Sequence, residues 1–148
     1  LNDIGKYFDV FKVESATMAK PSIPRCFGLY LNNCWYQLTV NNKLRAQIDE
    51  YNPTESLDVS IMQNTVFEPL LGIKNQRTDK RVDFVGGIRG LEELEKRVNS
   101  GEWQAAVAFY PTSVESLMAI ADADEVMPPK STWFEPKLKS GLVVHMLD

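Results

Sequence analysis

Residues 25–40, RCFGLYLNNCWYQLTV, read as two β-strands joined at Asn32-Asn33. Asparagine tolerates the left-handed conformations that both central residues of a tight hairpin turn require. Such a turn pairs Leu31 with Cys34, Leu29 with Tyr36 and Cys26 with Thr39. Phe27, Leu29, Leu31, Tyr36 and Leu38 then share one face, the face expected in the core. The same register puts Cys26 and Cys34 on opposite faces, about 15 Å apart at roughly 3.3 Å per residue, far beyond the reach of a disulfide. Both are expected as free thiols of a reducing compartment, the cytoplasm.

Outward from the hairpin, Tyr7 to Val13 alternates as a first strand, with Phe8 and Val10, and Lys12 in line with them, opposite Tyr7, Asp9, Phe11 and Val13. Ser15 to Pro24 is a small-residue connector holding two prolines. Asn41 to Pro53 has the polar composition of a loop, and its LRAQI pattern makes one helical turn or none. Pro53-Thr54 opens a helix that runs to about Leu71 and stops at Gly72. Leu57 and Ile61, with Asn64 in line to continue their stripe and Val59, Met62, Val66 and Leu70 beside it, give it the wide apolar arc of a helix packed on a sheet.

KNQRTDKR (74–81) is a basic loop. Val82 to Val85 is expected as a short strand, turning through Gly86-Gly87-Ile88-Arg89-Gly90 into a helix from Leu91 to Val98. Leu91, Leu94 and Val98 face inward there, and Glu92–Lys96 and Glu93–Arg97 are outer i,i+4 pairs. Ala105 to Tyr110 is apolar enough for a buried central strand. Pro111-Thr112 starts a third helix with a Thr112–Glu115 capping box, and Val114, Leu117, Met118 and Ala121 recur at helical spacing until Pro128-Pro129. Trp133-Phe134 and Leu142 to Leu147 are expected as a last strand pair. The sum is an α+β fold: a single domain, residues 1–148, with a mixed sheet and about three helices mainly on one face.

Composition excludes several function classes. With 20 acidic and 16 basic side chains the net charge is −4, which offers no broad attraction for nucleic acid. No apolar run approaches the roughly 20 residues that cross a bilayer. The opening LNDIGKYFDVF has neither the basic nor the continuous apolar region of a signal peptide.

Three stretches carry candidate chemistry. In VDFVGGIRGLEEL (82–94), Gly86 and Gly87 would let backbone amides turn outward at the start of a helix, with Lys80, Arg81 and Arg89 nearby to neutralise an anion. A tight strand-to-helix connection accounts for the same residues, and neither the Walker spacing nor the full GxGxxG pattern is present. In MPPKSTWFEPK (127–137), Lys130, Ser131, Thr132 and Lys137 are placed to hold a phosphate or carboxylate, with Trp133 stacking on a planar group. The structural alternative there is a helix stop followed by an edge strand whose prolines limit pairing. Arg77, Asp79, Lys80, Arg81 and Asp83 alternate in sign, either as a solvated loop or as an interface. His145 is the lone histidine, more in keeping with a structural strand residue than a base, and with the cysteines on opposite faces no metal site is expected. The acidic Asp122, Asp124 and Glu125 do not have the spacing of a calcium loop. Nothing in the residues names a cofactor.

FGLYLNNCWYQL (27–38), SLDVSIMQNTVFEPLLGI (56–73), RTDKRVDFVGGIRGLEEL (77–94) and AFYPTSVESLMAIADADEVMPPKSTWFEPKLKSGLVVHML (108–147) together resemble the C-terminal half of the conserved prokaryotic family known as domain of unknown function 1015. The likeness covers most of the chain in order. It implies that the chain, which opens without Met, is the C-terminal fragment of a longer protein. The absent N-terminal half would bear an Asp-Gly-His-His-Arg-type segment, similar to one in phosphate-handling ParB-like kinases. It also implies a cytoplasmic enzyme handling a small phosphorylated or amino-acid-like metabolite, with a link to serine metabolism and with most of its catalytic part in that missing half. This fragment is then not expected to be active alone. The competing expectation is a non-catalytic domain that docks on that half or forms a homodimer, which an exposed apolar patch on the 26–40 hairpin would favour.

Overall fold

The computed structural model describes residues 1–128. The hairpin forms in the expected register. Strand β2 (Cys26–Leu31) lies antiparallel to β3 (Cys34–Val40), with Leu31 opposite Cys34, Leu29 opposite Tyr36 and Cys26 opposite Thr39. Asn32 and Asn33 take left-handed φ values of 51° and 59°, the signature of a two-residue turn whose twist matches the strands it joins. Both cysteines are free.

Strand β1 (Phe8–Val13) pairs with the outer side of β3, and β4 (Ala105–Phe109) pairs with the outer side of β2. The sheet order is β1-β3-β2-β4 and every pairing is antiparallel. The α+β class therefore holds, with an antiparallel sheet among the described strands where a mixed one is expected. Ala105 to Tyr110, expected at the centre, is an edge among those strands. Its small alanines suit it to lie under a helix rather than between two large-residue strands.

One sheet face carries the larger core. Phe8, Phe27, Leu29, Leu38 and Val40 pack there with Leu44 of helix α2 (Asn42–Arg45) and with Ile61, Met62 and Val66. Phe27 sits between two edge-on rings, Phe8 at 5.6 Å and Phe109 at 5.5 Å. Such T-shaped pairs add roughly 0.5–1.5 kcal/mol each beyond area burial.

Helices are expected mainly on one face, yet the opposite face is covered too. Helix α1 (Ala16–Ala19), inside the expected connector, starts where the Ser15 hydroxyl accepts from the Met18 N–H, and it buries Ala19. Helix α5 (Gly90–Asn99) brings Leu91, Leu94 and Val98 against Tyr30 and Trp35. The polar parts of both aromatics are satisfied: the Tyr30 hydroxyl donates to Asn99 Oδ1 at 2.9 Å, and the Trp35 indole N–H donates to Glu95 Oε1 at 2.5 Å. This double cover is why Cys26 through Tyr30 are buried without alternation.

Elsewhere the structure departs from the sequence reading in identifiable ways. Residues 82–85 form no strand. Asp83 there pairs with Arg97 of α5, tying the segment to that helix instead of to the sheet. Helix α6 (Val114–Asp122) begins at Ser113, whose hydroxyl accepts from the Ser116 N–H, rather than at a Thr112 cap. It ends before the prolines: Asp124 turns left-handed at φ 54°, letting the N–H of Glu125 reach the Ile120 carbonyl at 3.0 Å. Its buried residue is Ile120, while Val114 and Met118 of the expected stripe are exposed. The expected last strand pair around 133–147 lies outside the described residues.

Candidate functional site

The segment expected as one helix from Pro53 to Leu71 is built in three parts. Asn52 accepts the N–H groups of Thr54 and Glu55 in a local turn, which holds residues 53–56 out of the helix. Helix α3 (Asp58–Met62) then runs into a π-helical turn, Gln63–Phe67, and continues as α4 (Glu68–Leu71). Pro69 gives the physical reason for the wide turn. Its ring cannot share space with a carbonyl four residues back in α-register, and it has no N–H to donate. The chain widens instead, with the N–H of Glu68 bonding the carbonyl of Gln63, five residues back. Gly72 closes α4 in the left-handed conformation at φ 66°, as its position in the sequence suggests.

The widened turn holds the loop that follows. Gln63 Nε2 donates to the Ile73 carbonyl at 2.7 Å, and Gln76 Nε2 donates to Gln63 Oε1 at 2.8 Å. Between helix and loop lies a cleft of about 400 Å³. Ser60, Gln63 and Asn64 line it from the helix, and Lys74, Asn75 and Gln76 from the loop. Thr54 and Glu55 line it ahead of α3, and Pro128 at the end of the described chain. Thr54 is held in place by Glu125, whose carboxylate accepts from its hydroxyl at 3.3 Å.

Four amide side chains and two hydroxyls line it, with one cation, Lys74, one carboxylate, Glu55, and the apolar Val59 and Pro128, and most of the exposed lining surface is apolar. Side-chain amides both donate and accept, so these groups can hydrogen-bond a small molecule, with Lys74 supplying a positive charge and Glu55 a negative one. Among the described residues no group of three His, Cys, Asp or Glu is placed to hold a metal ion.

The basic candidates from the sequence are distributed otherwise. Arg81 is engaged on all sides: Nε and Nη2 donate to the Asp79 carboxylate, Nη1 to the Leu71 carbonyl at 2.9 Å and Nη2 to the Gly72 carbonyl at 3.3 Å. It thereby caps the end of α4, and its hydrogen bonds hold the Asp79 carboxyl below its ordinary value. Lys80 is exposed beside it. Gly86 leads into a 3-10 turn, Gly87–Arg89, and Gly90 follows with φ 72°. Arg89 lies in the field of Asp83 and Glu93, both held below the ordinary carboxylate range. The first cause for Asp83 is the Phe84 N–H, and for Glu93 it is the Arg97 guanidinium. Both carboxylates are hydrogen-bonded to Arg97, and Arg89 adds only the weakest of the attractions on each. Lys130, Ser131, Thr132, Trp133, Lys137 and His145 lie outside the described residues.

Sequence reasoning missed the cleft because amides at 63, 64, 75 and 76 form no recognised motif. The one available signal is Pro69, placed inside an otherwise good helical pattern. Comparison of the chain with family models, with curated proteins and with solved structures finds no match in any of the three.

Proposed function

We propose that this chain is the metabolite-binding part of an enzyme acting on a small phosphorylated or amino-acid-like molecule, with the cleft beside the π-turn as its binding site. The observation that carries this reading is the cleft itself: about 400 Å³, with four amide side chains, two hydroxyls, Lys74 and Glu55 on a largely apolar wall. Pro128 lines it and stands two residues before Lys130 in the sequence, ahead of the candidate residues Ser131, Thr132, Trp133 and Lys137. In this proposal those residues supply the further anion-binding groups. Arg81 is left out, since it caps α4.

The chemical step belongs to the absent N-terminal half implied by the resemblance to domain of unknown function 1015, and the proposed setting is the cytoplasm, in keeping with two free thiols. No described helix is long and apolar enough to cross a membrane. Thermal midpoints of the chain with phosphate, ATP, ADP, serine and phosphoserine test the proposal: a selective rise supports it, and a flat panel goes against it.

A second reading, a docking or dimerisation domain, is favoured by Val114 and Met118, which are 64% and 58% exposed on α6. The hairpin does not contribute, since both of its faces are covered. Light scattering distinguishes this reading: a dimer that Met118→Lys dissociates supports it, and a monomer at all concentrations rejects homodimerisation.

A further inference from the structure

The cleft beside the π-turn presents two charges of opposite sign, Glu55 on the wall ahead of α3 and Lys74 on the loop after α4. Among the described residues neither makes an ion pair, with the other or elsewhere. The backbone of each is held by an amide side chain. The Glu55 N–H donates to Asn52 Oδ1 at 3.0 Å, and Gln63 Nε2 donates to the Lys74 carbonyl at 3.4 Å. The Ser60 hydroxyl and the Asn64 amide line the same cleft and carry no side-chain hydrogen bond among the described residues. Most of the remaining exposed wall is apolar, with Val59 and Pro128 contributing to it.

We infer that this cleft takes the zwitterion of a free α-amino acid with an apolar side chain, its ammonium at Glu55 and its carboxylate at Lys74. A ligand charged with one sign alone meets an attraction and a repulsion here, whereas a zwitterion meets two attractions. Ser60 and Asn64 can donate to the carboxylate and accept from the ammonium, filling hydrogen bonds that the two charged residues leave open. Exposed ion pairs are individually weak, so the charges select the ligand more than they hold it. The apolar wall supplies the rest, by removing the ligand's methyl and methylene groups from water.

This inference rests on the proposed reading of the cleft as a binding site, and the test separates the two. L-Leucine, N-acetyl-L-leucine, L-leucinamide, L-serine and inorganic phosphate are each titrated into the native 15N-labelled chain at mildly acid pH and followed by amide chemical shifts. Leucine is expected to move signals around both Glu55 and Lys74, and to bind about tenfold tighter than serine. N-acetyl-leucine lacks the ammonium and leucinamide lacks the carboxylate, so each should bind about fivefold more weakly than leucine. Glu55→Gln should weaken leucine and leucinamide but not N-acetyl-leucine. Lys74→Gln should weaken leucine and N-acetyl-leucine but not leucinamide. Both side chains are exposed, so each variant should keep the dispersed spectrum of the native fold. Shifts around Lys74 with phosphate but none with leucine would overturn the zwitterion site and leave the cleft standing, as would a leucine affinity that Glu55→Gln does not change. Absence of shifts at the cleft with all five probes would overturn both.

Discussion

Helix α1 crosses β2 so closely that a methyl group on Gly28 would stand 2.6 Å from the carbonyl oxygen of Ala19. That oxygen belongs to backbone and cannot swing away. Gly28 therefore sets the spacing of the second sheet face, where α1 and α5 cover Tyr30 and Trp35. Gly28→Ala is expected to cost about 1–3 kcal/mol through overpacking. Urea unfolding should show a lower midpoint at unchanged slope.

The same face contains a polar tether, the Trp35 indole N–H bonded to Glu95 at 2.5 Å. Glu95→Ala leaves that buried donor without an acceptor and should lower stability by about 1–3 kcal/mol. Glu95→Gln keeps an acceptor and should cost less than half as much. Equal losses in the two variants, measured by urea unfolding, would assign the effect to packing of the side-chain stem.

At the start of α3, Asp58 accepts the backbone N–H of Arg25, at 3.1 and 3.2 Å to its two oxygens. Arg25 is held at φ 69°, rare for a side chain of this size, and its guanidinium also donates to Glu50 at 2.8 Å. Burial pushes the Asp58 carboxyl above its ordinary value of 3.8, outweighing the Arg25 N–H and charge. A carboxyl raised in the fold favours the folded state while it is protonated, below 3.8, and loses that contribution as pH climbs through its folded value. Asp58→Asn should therefore be no less stable than the native chain at pH 7, gaining on it as pH rises from the acid side. Asp58→Ala removes the acceptor for the Arg25 N–H and should cost about 1–3 kcal/mol at either pH. Unfolding at acid and neutral pH separates these outcomes.

Asn32, at φ 51°, tests the turn. Asn32→Gly should be neutral or slightly stabilising, whereas Asn32→Val should cost about 1–2 kcal/mol because a β-branched side chain resists the left-handed region. Thermal midpoints of the three proteins give the order directly.

How much the sequence discloses follows from the range of the forces involved. The hairpin was legible because its register depends on two adjacent asparagines and a period-two pattern, all local. Leu91, Leu94 and Val98 were legible for the same reason, as a stripe at helical spacing. The sides on which helices pack were not, because Tyr30 and Trp35 face away from the larger core and find their cover in α5, some 60 residues on. VDFV has the composition of a strand, but Asp83 is drawn to Arg97 by a contact no local pattern announces. The helical spacing of α6 does not tell which side turns inward: Ile120, not Val114 or Met118, meets the interior. The cleft depends on a π-turn that a single proline induces, so its amides come together only once the helix is seen to widen.

Binding of a small metabolite in the cleft beside the π-turn is read from the thermal midpoints of native, Lys74→Ala and Arg81→Ala chains across phosphate, ATP, ADP, serine and phosphoserine. At about 100 times its dissociation constant a bound ligand stabilises the native chain by roughly 2.7 kcal/mol, a rise of several degrees for a domain of this size. One ligand class should produce that rise in the native and Arg81→Ala chains and fail to produce it in Lys74→Ala, since Lys74 lines the cleft and Arg81 caps α4. A panel flat for the native chain, or a rise that survives Lys74→Ala undiminished, would contradict the account.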